Sequence, residues 1–382
     1  MILSVAQYML AVEHLEMMSR TLCKRKIYTL RNEKGGLKCY VGNSAIIFEV
    51  MCDGVHSALR VYMQNHPNLG AIYGERYLPK ELLVCSTEAT STLADVVLCE
   101  WYDGPTLQSK IEEYCQNRTK MEALSHLFEE FAISLLNEPW AHGDLKPENI
   151  ILCSKKLQLI DLDACYLPEF KSTDCVEVGT RQYQHPYRDK SSFSKSIDDY
   201  PIALIVTALA ALAAEPKLSK RVRNSDTLLI TPQLAVAGKD EVLKRIENLF
   251  AEVGDVRHYR IAKMLRSPYP ALPQLKALLE AKPTPSNEGE ELTLEYYNGG
   301  WGYSAKGKFV ILPYYDLAFD FSEGLGLVRV ADVWHFINRH GEVVIRCGRG
   351  EQIKPFRNGM THIKRTDGEY VIYSNGKIEK LE

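Results

Sequence analysis

The sequence predicts an α+β chain: a β-rich first part, a helix-rich second part and an all-β repeat segment at the end. Three observations predict this. From residue 27 to about 63, apolar residues fall in short runs with turn signals at Gly35-Gly36 and Asp53-Gly54. From Gly104 to about Ala281, apolar spacing is helical. Beyond residue 291, aromatic residues and glycines recur at a fixed period.

Taken in order, the first element is an amphipathic helix over 3–22, because Val5, Tyr8, Met9, Val12, Leu15, Met18 and Leu22 fall on one helical face. Short strands follow to about residue 63. After His66-Pro67 comes a short helix weakened by Gly70 and Gly74. Strands are expected at Glu81–Cys85 and Val96–Trp101, and helices from Gly104 through about Leu136. Residues 150–160 alternate around a polar turn at Ser154-Lys155-Lys156 and predict a β-hairpin. The apolar run Pro201–Ala214 is shorter than the ~20 residues that span a bilayer, so a buried core helix is expected. "KPTPSNEGEE", 282–291, has the composition of a linker.

The bulk composition narrows the function classes. A chain of 382 residues is long for one core, which predicts two domains. A net charge of −3 gives no reason to expect a nucleic-acid or membrane partner, and the run Lys24-Arg25-Lys26 is too short to change that. The ten cysteines are scattered singly, with no CxxC pair and no zinc spacing. Glu13, His14 and Glu16 interrupt the early apolar residues, so no secretory signal is read. The expectation is a reduced, cytoplasmic protein.

The last segment repeats. Trp301, Trp334 and Tyr370 are spaced by 33 and 36 residues, and Gly307, Gly341 and Gly376 by 34 and 35. Phe321-Ser322-Glu323-Gly324 returns as Phe356-Arg357-Asn358-Gly359. Each unit reads as strand, Gly turn, strand, and one such hairpin cannot bury its own apolar face. The stretch from Gly299 to Val328 resembles the WG repeat of bacterial proteins, with its Trp-Gly pair at 301–302. The later copies carry Trp334-His335 and Tyr370-Val371 instead. The resemblance implies a β-rich interaction module without chemistry of its own. Aromatics such as Trp301, Tyr314, Tyr315 and Trp334, at strand spacing, are expected in the core more than on a binding face.

The chemistry lies in "WAHGDLKPENIIL", 139–151. Pro147 excludes a helix interior and a central strand, so His142 to Asn149 is a loop. The hairpin that follows brings Asn149 and Asp161 to one open end, where strands lie ~4.8 Å apart. An amide oxygen and a carboxylate suit Mg²⁺ with phosphate oxygens completing the shell. Asp144 could take a proton from an incoming hydroxyl, and Lys146 could direct charge at a phosphoryl group. A lone Asp or Asn here would be an ordinary loop residue; the combination calls for phosphoryl transfer.

"HGDLKPENI" resembles the catalytic loop of the protein kinase superfamily, and "LIDLD" resembles the strand carrying its DFG motif. The resemblance covers roughly residues 27 to 280. It implies a bilobal protein kinase-like fold over 1–281, with an N-lobe to about 102 and a C-lobe over 103–281. A linker at 282–291 and a WG-type repeat domain over 292–382 would follow. Carried over, Asp144 is the catalytic base, Lys146 the phosphate-contacting lysine, and Asn149 and Asp161 the metal ligands, with Asp163 a competitor for Asp161. "VGTRQYQHP", 178–186, resembles the end of an activation segment. In "SIDDYPIAL", Asp198 would tie down the catalytic loop. "CEWYDGPTL", 99–107, resembles the hinge, with Cys99 as gatekeeper and Glu100 and Trp101 offering backbone groups to adenine. Mg²⁺ and ATP are the implied cofactors.

The departures from that pattern are local. In "YVGNSAIIF", 40–48, only Gly42 survives of the glycine loop, with Tyr40 and Ala45 at other glycine positions. In "SALRVYM", Arg60 takes the place of the nucleotide-binding lysine and is not equivalent to it. The only acid in the short helix after it is Glu75. His142-Gly143-Asp144 lacks the usual arginine, which implies an enzyme not switched by activation-loop phosphorylation. Tyr187 replaces the glutamate after the activation-segment proline. Three readings stay open. The first is a Mg²⁺/ATP-dependent phosphotransferase acting on serine or threonine of a protein, with a small-molecule hydroxyl as the other acceptor class. The second is a pseudokinase that binds partners without transfer. The third is a scaffold built on the repeats.

Overall fold

The computed structural model describes residues 3–85, 91–222, 227–281 and 289–381. Its first part is a six-stranded antiparallel sheet. The strands are β1 (Ile27–Thr29), β2 (Cys39–Val41), β3 (Ala45–Cys52), β4 (Val55–Tyr62), β5 (Tyr77–Cys85) and β6 (Ser91–Glu100). Their order is β1-β3-β4-β6-β5, with β2 also paired to β3. Strand alternation sends Ile46, Phe48, Val50, Leu59, Val61 and Val96 to one face, where they pack against Tyr8, Ala11, Val12 and Leu15. Arg60 lies between Leu59 and Val61 and therefore faces the other way.

The helix expected over 3–22 is broken. Helix α1 (Val5–Glu13) ends at His14, α2 (Leu15–Met18) follows, and Leu22–Lys24 is a 3₁₀ turn. The bend keeps Tyr8, Val12, Leu15 and Leu22 on one core. The buried Glu81 carboxylate fixes the segment by accepting from the Thr21 and Leu22 amides at 2.6 and 2.7 Å. The strands β5 and β6 are longer than expected, and β5 shifts register between Leu78 and Leu82. Helix α3 (Leu69–Tyr73) is a five-residue helix ended by Gly74 at φ +55°, which suits a segment rich in glycine.

The second part is helical: α4 (Leu107–Tyr114), α5 (Arg118–Asn137), α6 (Asp199–Ala214), α7 (Ser219–Val222), α8 (Pro232–Val236), α9 (Glu241–Val253), α10 (Val256–Met264) and α11 (Leu275–Glu280). Between α5 and α6 lies the hairpin of β7 (Ile150–Cys153) and β8 (Lys156–Leu159), paired Ile150 to Leu159. Helix α6 is apolar on every face and buried from Asp199 to Ala213, which makes it the centre of the helical core. Side chains cap the other long helices: Asn117 accepts from the Lys120 amide, and Asp240 from Val242 and Leu243.

The third part holds three small antiparallel sheets. They are β9 (Thr293–Tyr297), β10 (Gly300–Ala305) and β11 (Lys308–Tyr315); β12 (Leu317–Ala318), β13 (Gly326–Val330), β14 (Val333–Ile337) and β15 (Val343–Arg349); and β16 (Met360–Arg365), β17 (Gly368–Tyr373) and β18 (Ile378–Lys380). The sequence period is reproduced in the backbone. Gly307, Gly341 and Gly376 close hairpins at φ +74°, +79° and +88°. Glu323-Gly324 and Asn358-Gly359 both have two successive positive φ values, as tight hairpin turns require. Gly302 of the Trp-Gly pair cannot carry a side chain, because a Cβ would lie 2.5 Å from Ile311 O.

The first two of these sheets share a core with the helices. Tyr303, Ile311, Tyr315, Val328, Val330 and Ile337 join Phe250, Tyr259 and Ile261 in one cluster. His335, which stands where the first copy has Gly302, is fully buried and donates from Nε2 to Ala251 O at 2.8 Å. Arg346 donates to Val253 O at 3.0 Å, Arg349 pairs with Glu252 at 2.8 Å, and Arg260 donates to Tyr314 O at 2.5 Å. The linker expected at 282–291 falls mostly on 282–288, outside the described residues. Glu290, just past them, pairs with Lys306 at 2.6 Å.

Candidate active site

The loop before β7 is pinned from below. Asp198, 2% exposed, accepts from the His142 and Gly143 amides at 2.5 and 2.9 Å. Burial raises its pKa, against the pull of His142 and these amides. His142 donates from Nε2 to Ile160 O at 2.8 Å and accepts the Asp144 amide on Nδ1 at 3.2 Å. Gly143 sits at φ +82°, and a Cβ there would lie 2.0 Å from Ala164 O. The glycine in His-Gly-Asp is thus a steric requirement of this loop. Arg188, 9% exposed, donates to Gly143 O at 2.7 Å and also bonds Gln184.

Asp144 is oriented by three groups. Its Oδ1 accepts from the Thr180 amide at 2.5 Å; its Oδ2 lies 3.2 Å from Lys146 Nζ and 3.3 Å from Asn149 Nδ2. Burial alone would raise its pKa, but Lys146 and the Thr180 amide and hydroxyl outweigh this and hold it below the ordinary carboxylate value. Lys146 also donates to Thr180 Oγ1 at 2.9 Å. Asn149 donates its amide to Asp144 O at 2.9 Å, and its Oδ1 accepts no hydrogen bond among the described residues.

The Ile160 amide donates to Asn149 O at 3.0 Å, so the hairpin register carries Asn149 and Asp161 to the same end. Asp161 adopts a left-handed conformation at φ +63°, uncommon for a non-glycine residue. Its Oδ1 accepts from Arg60 at 2.6 Å; its Oδ2 accepts no hydrogen bond among the described residues. Asn149 Oδ1 and Asp161 Oδ2 are thus two hard oxygen donors at one hairpin end. They fit Mg²⁺, which takes few protein ligands and completes its shell with phosphate and water oxygens. Asp163 is differently placed. It is 6% exposed; its Oδ1 accepts from Tyr62 and Tyr73 at 2.7 and 2.6 Å, and its Oδ2 from Arg60 at 2.7 Å.

Arg60 is buried rather than solvated on its strand, with 8% of its side chain exposed. Burial pulls its pKa down, but Tyr73, Asp161, Asp163 and Tyr62 override this and hold it well above the ordinary value. Glu75 is exposed and makes no bond to Arg60 among the described residues. Gly42 donates its amide to Ala45 O at 2.9 Å, closing a tight turn, so that amide is committed within the loop. Ala45 is buried and Tyr40 exposed, with the Tyr40 ring 6.0 Å from Trp101. The Trp101 amide donates to His56 O at 3.2 Å and continues the β4–β6 ladder after Glu100, and the His56 and Trp101 rings stack at 5.4 Å. One backbone donor expected to meet adenine is therefore engaged by the sheet.

Sequence reasoning missed Tyr62, Tyr73, His66 and Arg188. Tyr62 was legible, being two residues from Arg60 on one strand face. Tyr73 and Arg188 reach the site only through packing, and carry no local signal. No curated protein matches the chain. A family model described as WG containing repeat matches residues 301–334, from Trp301 in β10 to Trp334 in β14. The chain carries a WG repeat there, within its C-terminal β-repeat region.

Proposed function

We propose that the chain is a Mg²⁺/ATP-dependent phosphotransferase with a bilobal protein kinase-like fold, acting on serine or threonine hydroxyls of a protein. The observation that carries this reading is the convergence of Asp144, Lys146, Asn149 and Asp161, from one loop and one hairpin, with Arg60 from the facing sheet. Mg²⁺, held by Asn149 and Asp161, would neutralise phosphate charge. Asp144, kept ionised, orients the acceptor hydroxyl and takes its proton as the oxygen bonds to phosphorus and the nucleoside diphosphate leaves. Lys146, tied to Thr180 and Asp144, stands ready to screen charge on the moving phosphoryl group. The WG-type repeats, packed on α9 and α10, serve as a fixed interaction platform. Ten free cysteines fit a reducing, cytoplasmic setting.

A pseudokinase reading draws on two specific observations: Arg60 is already engaged by two carboxylates, and the Gly42 amide is closed within its turn. One experiment separates the two. Thermal stability is measured with ATP, with and without Mg²⁺, beside a phosphotransfer assay of wild type and Asp144→Asn. A Mg²⁺-dependent rise in Tm with turnover lost in Asp144→Asn supports transfer. A rise without turnover supports the pseudokinase. Turnover unchanged in Asp144→Asn removes the role given to Asp144.

A further inference from the structure

We infer that Asp163 is the positioning carboxylate of this site: it holds the Arg60 fork and thereby leaves the outer oxygen of Asp161 free to bind a cation. The second half of this inference rests on the phosphotransferase reading; the first half does not.

Asp163 gathers donors from three places in the sheet half. Arg60 and Tyr62 come from β4, and Tyr73 is the last residue of α3. The His66 ring, from the loop between β4 and α3, adds a bond from Nε2 to Asp163 O at 2.9 Å. Asp163 itself belongs to the segment after β8, about a hundred residues later. A side chain 5% exposed, with both oxygens taken by donors from the opposite half, is a pin between the halves. Hydrogen bonds to a buried carboxylate are among the stronger ones.

The helix that follows Arg60 cannot take this part. Helix α3 has five residues, and Glu75 lies beyond it on an exposed 3₁₀ turn. The carboxylate that balances Arg60 therefore comes from the segment that also carries Asp161. Arg60 Nη2 is shared between Asp161 Oδ1 and Asp163 Oδ2 at 2.6 and 2.7 Å. With the Asp163 carboxylate removed, as in Asp163→Asn, Arg60 would have Asp161 as its one carboxylate partner among the described residues and would compete with any cation there.

The first arm of the test is a double-mutant cycle in chemical denaturation, with Asp163→Asn, Arg60→Gln and the double variant. Each single variant is expected to lower the folding equilibrium constant about a hundredfold, because it breaks a buried ion pair, and the double variant to lose no more than the worse single. Additive losses overturn the pin. If Asp163→Asn gives no folded protein, Tyr73→Phe carries the arm, with a loss of about tenfold that Glu75→Gln does not reproduce. Equal losses in Tyr73→Phe and Glu75→Gln overturn it. The second arm is the Kd for ATP with and without Mg²⁺, by calorimetry on the full chain. Asp163→Asn, or Tyr73→Phe in its place, is expected to weaken binding about tenfold with Mg²⁺ and much less without it, a pattern that a general loss of structure does not produce. A Kd equal to wild type under both conditions overturns the positioning role. Absence of any ATP binding by wild type overturns the proposed function and, with it, the cation half of the inference; the first arm then still decides the pin.

Discussion

The packing of α10 on α5 within the helical part should lose stability at alkaline pH through a single histidine. His258 of α10 is 7% exposed and bonds a carboxylate on each side: Nδ1 lies 2.6 Å from Asp255 and Nε2 2.9 Å from Glu129. Arg257 adds a 2.7 Å pair to Glu129. Burial alone would lower the His258 pKa, but Asp255 and Glu129 raise it to about 9 from an ordinary 6.5. A pKa raised on folding means that the stabilisation is complete below pH 6.5 and is lost as pH rises through about 9. A difference of about 2.5 pKa units corresponds to about 3 kcal/mol. An unfolding entropy of ~2.1 cal/mol/K per residue gives ~0.8 kcal/mol/K for a cooperative unit of this size, so the expected Tm change is about 4 °C. The assay is thermal unfolding by circular dichroism at steps from pH 6 to 9.5, comparing wild type with His258→Gln. The wild-type advantage should be largest near pH 6 and shrink by about 4 °C by pH 9.5. Parallel Tm curves for the two proteins across that range would refute the reasoning.

Other consequences follow from the same packing. His335 is buried with Nδ1 unpartnered among the described residues, and burial lowers its pKa to about 4; its stabilisation should be present above pH 6.5 and disappear as pH falls toward 4, by about 3 kcal/mol, and His335→Gln should flatten that acid limb in denaturant titrations. Gly143→Ala should cost more than about 3 kcal/mol in chemical denaturation, since a left-handed backbone and a 2.0 Å approach to Ala164 O coincide there. Phe336→Ala, which empties a site stacked on Phe356 at 4.1 Å, should cost about 3–5 kcal/mol by the same measurement.

Much of the chain's local structure was legible in its residues. The Gly-bearing turns of the repeats, the hairpin after Pro147, the buried helix at 199–214 and the weak helix after Pro67 all follow from backbone sterics and apolar spacing within a few residues. Those forces act between near neighbours, so a linear reading captures them. The hairpin in particular sufficed to put Asn149 and Asp161 at one end without any knowledge of the rest. The break of the first helix at His14 was not legible, because nothing in its spacing interrupts a helix; the bend is made by docking onto the sheet.

The sequence by itself determined which groups the site owns: an amide, a lysine and carboxylates in one loop and hairpin, and an arginine on a strand. Only the tertiary structure decided how they are partnered. Asp163 rather than Glu75 answers Arg60, although the two are 103 residues apart. His335, at the glycine position of its repeat, became the anchor on α9. Gly143 is required by a carbonyl twenty-one residues away. Ion pairing and burial act through space, and their strength depends on exclusion of water by segments remote in the chain. No local pattern carries that information.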